Sequence, residues 1–151
     1  FENDCREEIC TSIQSAGVSE KMTVRLTLTL TKAMYFLAVT DHIPAGTEIL
    51  DTSLKTTQIG PQGIEPSTEP VYNPRQPFAQ GWGWWLFSQP YIYNDHIAWT
   101  AASLPAGTYE LTYSLVLLQP GEYHVLPATA AELYFPEIYG NSAGSVFSIT
   151  P

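Results

Sequence analysis

The sequence predicts an all-β fold, an antiparallel β-sandwich of about seven to nine strands, and three observations carry that expectation. Apolar and polar residues alternate without a break over 22–30, and 108–119 alternates again up to Leu115, the period of a strand with one wet side. Aromatic residues make up 13% of the chain, led by Tyr, and such side chains suit pleated, half-buried surfaces. Twelve Pro and ten Gly are spread along 151 residues, too dense for long helices but suited to short strands joined by turns. The length fits one domain with a core of its own. A charged fraction of 14% against 44% hydrophobic residues excludes a disordered chain.

Taken in order, residues 1–20 read as a polar connector, with Arg6-Glu7-Glu8-Ile9-Cys10 as one helical turn at most. Residues 21–151 read as a single sandwich domain. Over 22–30, Met22, Val24, Leu26, Leu28 and Leu30 share one face, and Thr23, Arg25, Thr27 and Thr29 share the other. The segment 34–40 is apolar on both faces and predicts a central, covered strand. Residues 41–47 turn the chain. The stretch 58–83 carries Pro61, Pro66, Pro70, Pro74 and Pro77 among several glycines, a density of breakers that predicts a long surface loop. Short strands are then expected at 84–87, 90–94 and 95–100, with a turn at Asn94-Asp95. In 108–119, Tyr109, Leu111, Tyr113, Leu115 and Leu117 share a face, and Pro120-Gly121 breaks the run. Strands over 122–126, 128–135 and 145–149 complete the count. Ile43-Pro44-Ala45-Gly46-Thr47 echoes Leu104-Pro105-Ala106-Gly107-Thr108, which suggests one turn type used twice.

The formal charge is −9. With no basic cluster to offset it, nucleic acid and anionic membrane surfaces are poor partners. No apolar run approaches the roughly 20 residues that span a bilayer, so this segment is not expected to insert into a membrane. The chain opens Phe1-Glu2-Asn3-Asp4 with no initiator Met, which reads as a piece of a longer polypeptide. Cys5 and Cys10 are candidates for a local disulfide in an exported protein; the other reading is two thiols in a terminal segment. Their spacing excludes a CxxC redox site, and the absence of an adjacent His argues against zinc.

Catalytic signatures are missing: no GxSxG elbow, HExxH, P-loop or GxGxxG occurs. His42, His96 and His124 are far apart in sequence, and Asp41-His42 and Asp95-His96 read as turn chemistry rather than as a catalytic pair. Glu7-Glu8 reads as a solvated face. No enzyme activity, cofactor or metal is expected. The most unusual stretch is 81–87, where Trp82, Trp84 and Trp85 follow one another closely. These three side chains either plug an end of the sandwich, meet a neighbouring domain, or form a platform for sugars.

From Leu104 onward the sequence resembles the C-terminal domain of bacterial alpha-2-macroglobulins, so the sandwich is expected to be immunoglobulin- or macroglobulin-like. The residues that carry the resemblance are an ordered series. It runs from Leu104-Pro105-Ala106-Gly107-Thr108 into a long strand, then Pro120-Gly121-Glu122-Tyr123 and Pro127-Ala128. Glu132-Leu133-Tyr134-Phe135-Pro136-Glu137 and Gly140-Asn141-Ser142 close it. Segments 24–30, 35–46 and 50–58 also look like that domain, while 58–83 and Cys5–Cys10 depart from it.

The resemblance implies a non-catalytic terminal domain of a broad-spectrum protease trap. In such a trap a bait segment is cut, the body rearranges, and a Cys–Gln thioester acylates the protease. The CxEQ thioester motif is absent here, because Cys5 is followed by Arg-Glu-Glu and Cys10 by Thr-Ser-Ile. The implied partners are therefore the thioester and macroglobulin domains of the same parent chain, and target proteases only indirectly. The implied location is extracytoplasmic, periplasmic or at the cell surface, in an envelope-anchored lipoprotein or a secreted protein. In that family a tyrosine of this domain covers the thioester, and Tyr134 is the positional match, with Tyr139 next. A thioester survives only where water is kept from its carbonyl, which an aromatic lid achieves. Two other classes compete. A surface adhesin would show tandem copies of this domain. A carbohydrate-binding module would lose glycan binding on Trp→Ala substitution at Trp82, Trp84 or Trp85.

Overall fold

The computed structural model describes residues 2–3, 12–50 and 84–151. Cys5 and Cys10, the expected turn over 6–10, the Pro-rich stretch 58–83 and Trp82 lie outside the described residues. The strands are β1 (Glu2–Asn3), β2 (Ser15–Gly17), β3 (Lys21–Leu30), β4 (Met34–His42), β5 (Thr47–Ile49) and β6 (Tyr91–Ile92). After them come β7 (His96–Leu104), β8 (Gly107–Leu117), β9 (Gly121–Val125), β10 (Thr129–Glu132), β11 (Tyr139–Asn141) and β12 (Ser145–Thr150). The chain is an all-β sandwich, as its patterning predicts. Strands β3, β4, β7, β8, β9, β10 and β12 span four residues or more and correspond to the expected runs. The remaining segments are too short to leave a periodicity.

Two sheets make the sandwich, in the orders β1-β3-β8-β5 and β11-β10-β4-β7-β6, and a third sheet runs β2-β12-β9. The longest ladder is β3–β8, antiparallel from Lys21↔Val116 to Leu30↔Gly107. The two runs with the clearest alternation are thus each other's partners. Their inward faces meet β4 and β7 of the second sheet. Val24, Leu37, Val39, Ile97, Trp99, Leu111, Tyr113 and Leu115 form one buried cluster there. A second, smaller cluster of Met22, Leu117, Phe147 and Ile149 seats the third sheet against the first. Part of the stretch expected as a connector is built into this sheet: Ser15–Gly17 pairs in parallel with β12.

Three local expectations need correction. Residues 84–86 form a 3-10 turn rather than a strand. Phe87 reaches the core, and the following Ser88 is pinned across the sheet by its N–H to the Thr100 carbonyl (2.7 Å). Strand β4 is central, but its first half is not covered: Tyr35 and Phe36 are 58% and 48% exposed. The ladder explains this, because β10 runs out at Glu132↔Leu37 and Phe36 turns left-handed, at φ 49°. The two Pro-Ala-Gly-Thr segments are not one turn type. At the first, Gly46 has φ 83° and Thr47 donates its N–H to the Pro44 carbonyl (3.3 Å). At the second, Gly107 has φ 157° and the Pro105 carbonyl accepts the Tyr109 hydroxyl (2.7 Å).

Candidate functional site

Strands β10 and β11 form a hairpin at the edge of the second sheet, in register from Thr129↔Asn141 to Ala131↔Tyr139. Its loop, 133–138, contains Pro136, which lacks an N–H and cannot extend a ladder. Backbone bonds close the loop from within: Glu132 N–H to Ile138 carbonyl (3.1 Å) and Ile138 N–H to Phe135 carbonyl (2.8 Å). A third bond, Leu133 N–H to Phe36 carbonyl (2.9 Å), ties it to β4. A loop with this many internal bonds presents its side chains in a fixed direction. Those side chains are apolar and open: Leu133 at 58%, Tyr134 at 70% and Phe135 at 56% exposure.

Tyr134 is propped from below. Its ring meets Phe36 edge to face, with centroids 5.1 Å apart and planes at 85°, a geometry favoured by the ring quadrupoles. Phe36 reaches that position through its left-handed backbone, a conformation bulky residues seldom adopt and one typically held in place by its surroundings. The hold here is Glu132. Its carboxylate is buried, with the residue 7% exposed, and Oε1 accepts the Tyr35 N–H at 3.0 Å. A charge-assisted bond of this kind is about twice as strong as a neutral one. It fixes the backbone immediately before the turn at Phe36.

The two candidate tyrosines are therefore on one hairpin but in different settings. Tyr134 stands on the loop against Phe36. Tyr139, also 70% exposed, lies on β11 beside a groove of about 420 Å³ between the two sheets, lined by Leu26, Leu28, Leu30, Leu37 and Ile138 among others. Trp85 is 49% exposed, and Trp84 lies in the same 3-10 turn. That turn contacts β7 and β8. Phe36 was not singled out from the sequence, Glu132 entered only as the first residue of the Glu132–Glu137 run, and no local signal marks their supporting role. A Phe in an apolar run and a Glu ending a short strand are unremarkable until register joins them. The arrangement offers no nucleophile poised beside a base; what it offers is a shaped, apolar, rigid surface.

Residues 4–137 match the family described as the bacterial alpha-2-macroglobulin MG10 domain. The chain belongs to that family. No curated protein matches the chain at sequence level. Among solved structures, it resembles Escherichia coli alpha-2-macroglobulin spanning domain MG7 to the C-terminus. The identity is 19% and the TM-score 0.69, over 93% of this chain and 21% of that one. The same E. coli protein activated by porcine elastase gives 19% identity and a TM-score of 0.69, over 94% of this chain and 12% of the other. Salmonella alpha-2-macroglobulin reacted with methylamine gives 19% and 0.66, over 93% and 8%. At these identities the likeness establishes the sandwich fold. The chain spans about a fifth or less of each structure, so it corresponds to one part of a much larger molecule. No helix among the described residues is long and apolar enough to cross a membrane.

Proposed function

We propose that this domain serves, without chemistry of its own, as the C-terminal domain of a bacterial alpha-2-macroglobulin-type protease trap. In this reading Tyr134 covers the thioester of a neighbouring domain in the same extracytoplasmic parent chain. The observation that carries the proposal is the setting of Tyr134: a large aromatic left 70% in solvent, on an internally bonded loop, against Phe36. Leaving such a surface exposed costs free energy, and covering one aromatic side chain returns about 1.5–3 kcal/mol. A contact built from Leu133, Tyr134 and Phe135 is thus strong enough to exclude water. It is also small enough to open when bait cleavage shifts the balance between two arrangements. Inter-domain contacts of roughly 600–1,500 Å² behave in this way.

The test is Tyr134→Gly in the parent protein, with thioester integrity followed by methylamine uptake and free-thiol release. Faster spontaneous hydrolysis, with the domain still folded, is the expected result. An unchanged rate removes the lid role from Tyr134, and the same measurement on Tyr139→Gly asks whether the other tyrosine carries it. A parent sequence without a CxEQ motif refutes shielding for both residues.

A further inference from the structure

We propose that His42, Asp95 and His96 form a binding site for a divalent transition-metal ion of the zinc, nickel and copper class. One donor atom from each of these residues lies within 4.8 Å of the others. Three features of the backbone bring them together. His42 ends β4 and His96 begins β7, and the two are direct cross-strand partners. Ile43 then donates its N–H to the Asp95 carbonyl (3.0 Å), which fixes the turn residue one step further along. Tyr93 donates its N–H to the His96 carbonyl (2.9 Å) and closes the β6–β7 turn.

The rings are also held. His96 is stacked on Tyr93, with centroids 4.3 Å apart and planes at 15°, and its Nδ1 lies 2.7 Å from Asp95 Oδ1. The His42 and His96 ring centroids lie 5.5 Å apart, with the planes tilted at 49°. Tetrahedral ligation with metal–nitrogen bonds near 2.0–2.1 Å needs donors about 3.3 Å apart. Donor separations run from 2.7 Å between His96 Nδ1 and Asp95 Oδ1 to 4.8 Å at most. The closest pair therefore opens by about 0.6 Å and the widest closes by about 1.5 Å, shifts that side-chain rotation on a partly open surface supplies. Two imidazoles and one carboxylate select borderline-soft ions and disfavour Mg²⁺ and Ca²⁺, which want six or more oxygen ligands. With three protein ligands, the remaining position belongs to water or to a donor from a partner.

Calorimetric titration of the 151-residue chain with Zn²⁺, paralleled by Co²⁺ absorption, tests the site. One ion per chain is expected. His42→Ala and His96→Ala should each weaken binding by about tenfold or more, while His124→Ala, on β9, leaves it unchanged. Ring signals of His42 and His96, but not His124, should broaden with Co²⁺ in the unsubstituted protein, which gives the same answer should a variant fail to fold. Absence of saturable binding overturns the proposal. So does binding that survives both His substitutions, or that disappears with Cys5→Ser/Cys10→Ser instead.

Discussion

Removing one oxygen atom from Tyr113 tests the electrostatics of the core. Tyr113 lies on β8 in the first sheet and Asp41 on β4 in the second. The Tyr113 hydroxyl donates to Asp41 Oδ2 at 2.7 Å, a single bond between the two layers. Both residues are buried, at 9% and 6% exposure. Burial raises the Asp41 carboxyl above its ordinary 3.8, while the Tyr113 bond and the neighbouring His42 pull it back. The Tyr113 hydroxyl is itself pushed far up by burial and by Asp41, so it remains a donor at every working pH. Tyr113→Phe keeps the ring and leaves little cavity. Its cost is the loss of a hydrogen bond to a charged group, about 1.5–3 kcal/mol at pH 7. For a chain of this length a loss of that size lowers Tm by about 3–12 °C.

The cost should depend on pH, with a definite sign. A carboxyl whose folded pKa is raised holds its proton longer in the native state than in the unfolded state. Its contribution to stability is therefore greatest below the unfolded value of 3.8 and falls as pH rises through the raised folded value. Without the Tyr113 bond the folded value moves higher still, so the decline continues over a wider window. Urea denaturation of both proteins at pH 4 and pH 7 checks this. The penalty at pH 4 should be that of a neutral hydrogen bond, about 1 kcal/mol, and larger at pH 7. Equal penalties at the two pH values would refute the account of Asp41 as an ionising partner.

Three further outcomes follow from local geometry. Gly46→Ala should destabilise by about 2 kcal/mol or more in thermal unfolding. Its backbone is left-handed and a Cβ would lie 2.6 Å from the Tyr123 hydroxyl oxygen, so combining it with Tyr123→Ala should recover part of the loss. Ser19→Gly should stabilise by up to about 1 kcal/mol, because an exposed Ser is held at φ 70°; chemical denaturation reads the gain. Glu132→Ala should cost about 1.5–3 kcal/mol and speed amide exchange at Tyr35, whose N–H the carboxylate accepts. Glu132→Gln, which keeps an acceptor, should cost less, and equal exchange in both variants would sever Glu132 from the support of Phe36.

The parts of this fold that the sequence by itself determined are those written in local periodicity. Alternation over 22–30 and 108–117 names the buried residues of β3 and β8, because in a strand every second side chain faces the same way. The Pro and Gly spacing marks the turns, and the ordered series from Leu104 to Ser142 points to the family. Exceptions arise where the backbone breaks its own period. Phe36 belongs by pattern to a covered strand, yet its left-handed φ delivers it to the surface under Tyr134. Trp84 and Trp85 belong by composition to a strand, yet the chain turns there. Only the tertiary structure decided that Glu132 supports the Phe36 turn and that Asp41 meets Tyr113 across the layers. Only it placed His42, at the end of one strand, opposite His96 at the start of another. Such pairs are set by ladder register, and register is fixed by the whole buried face at once rather than by the residues that it happens to bring together.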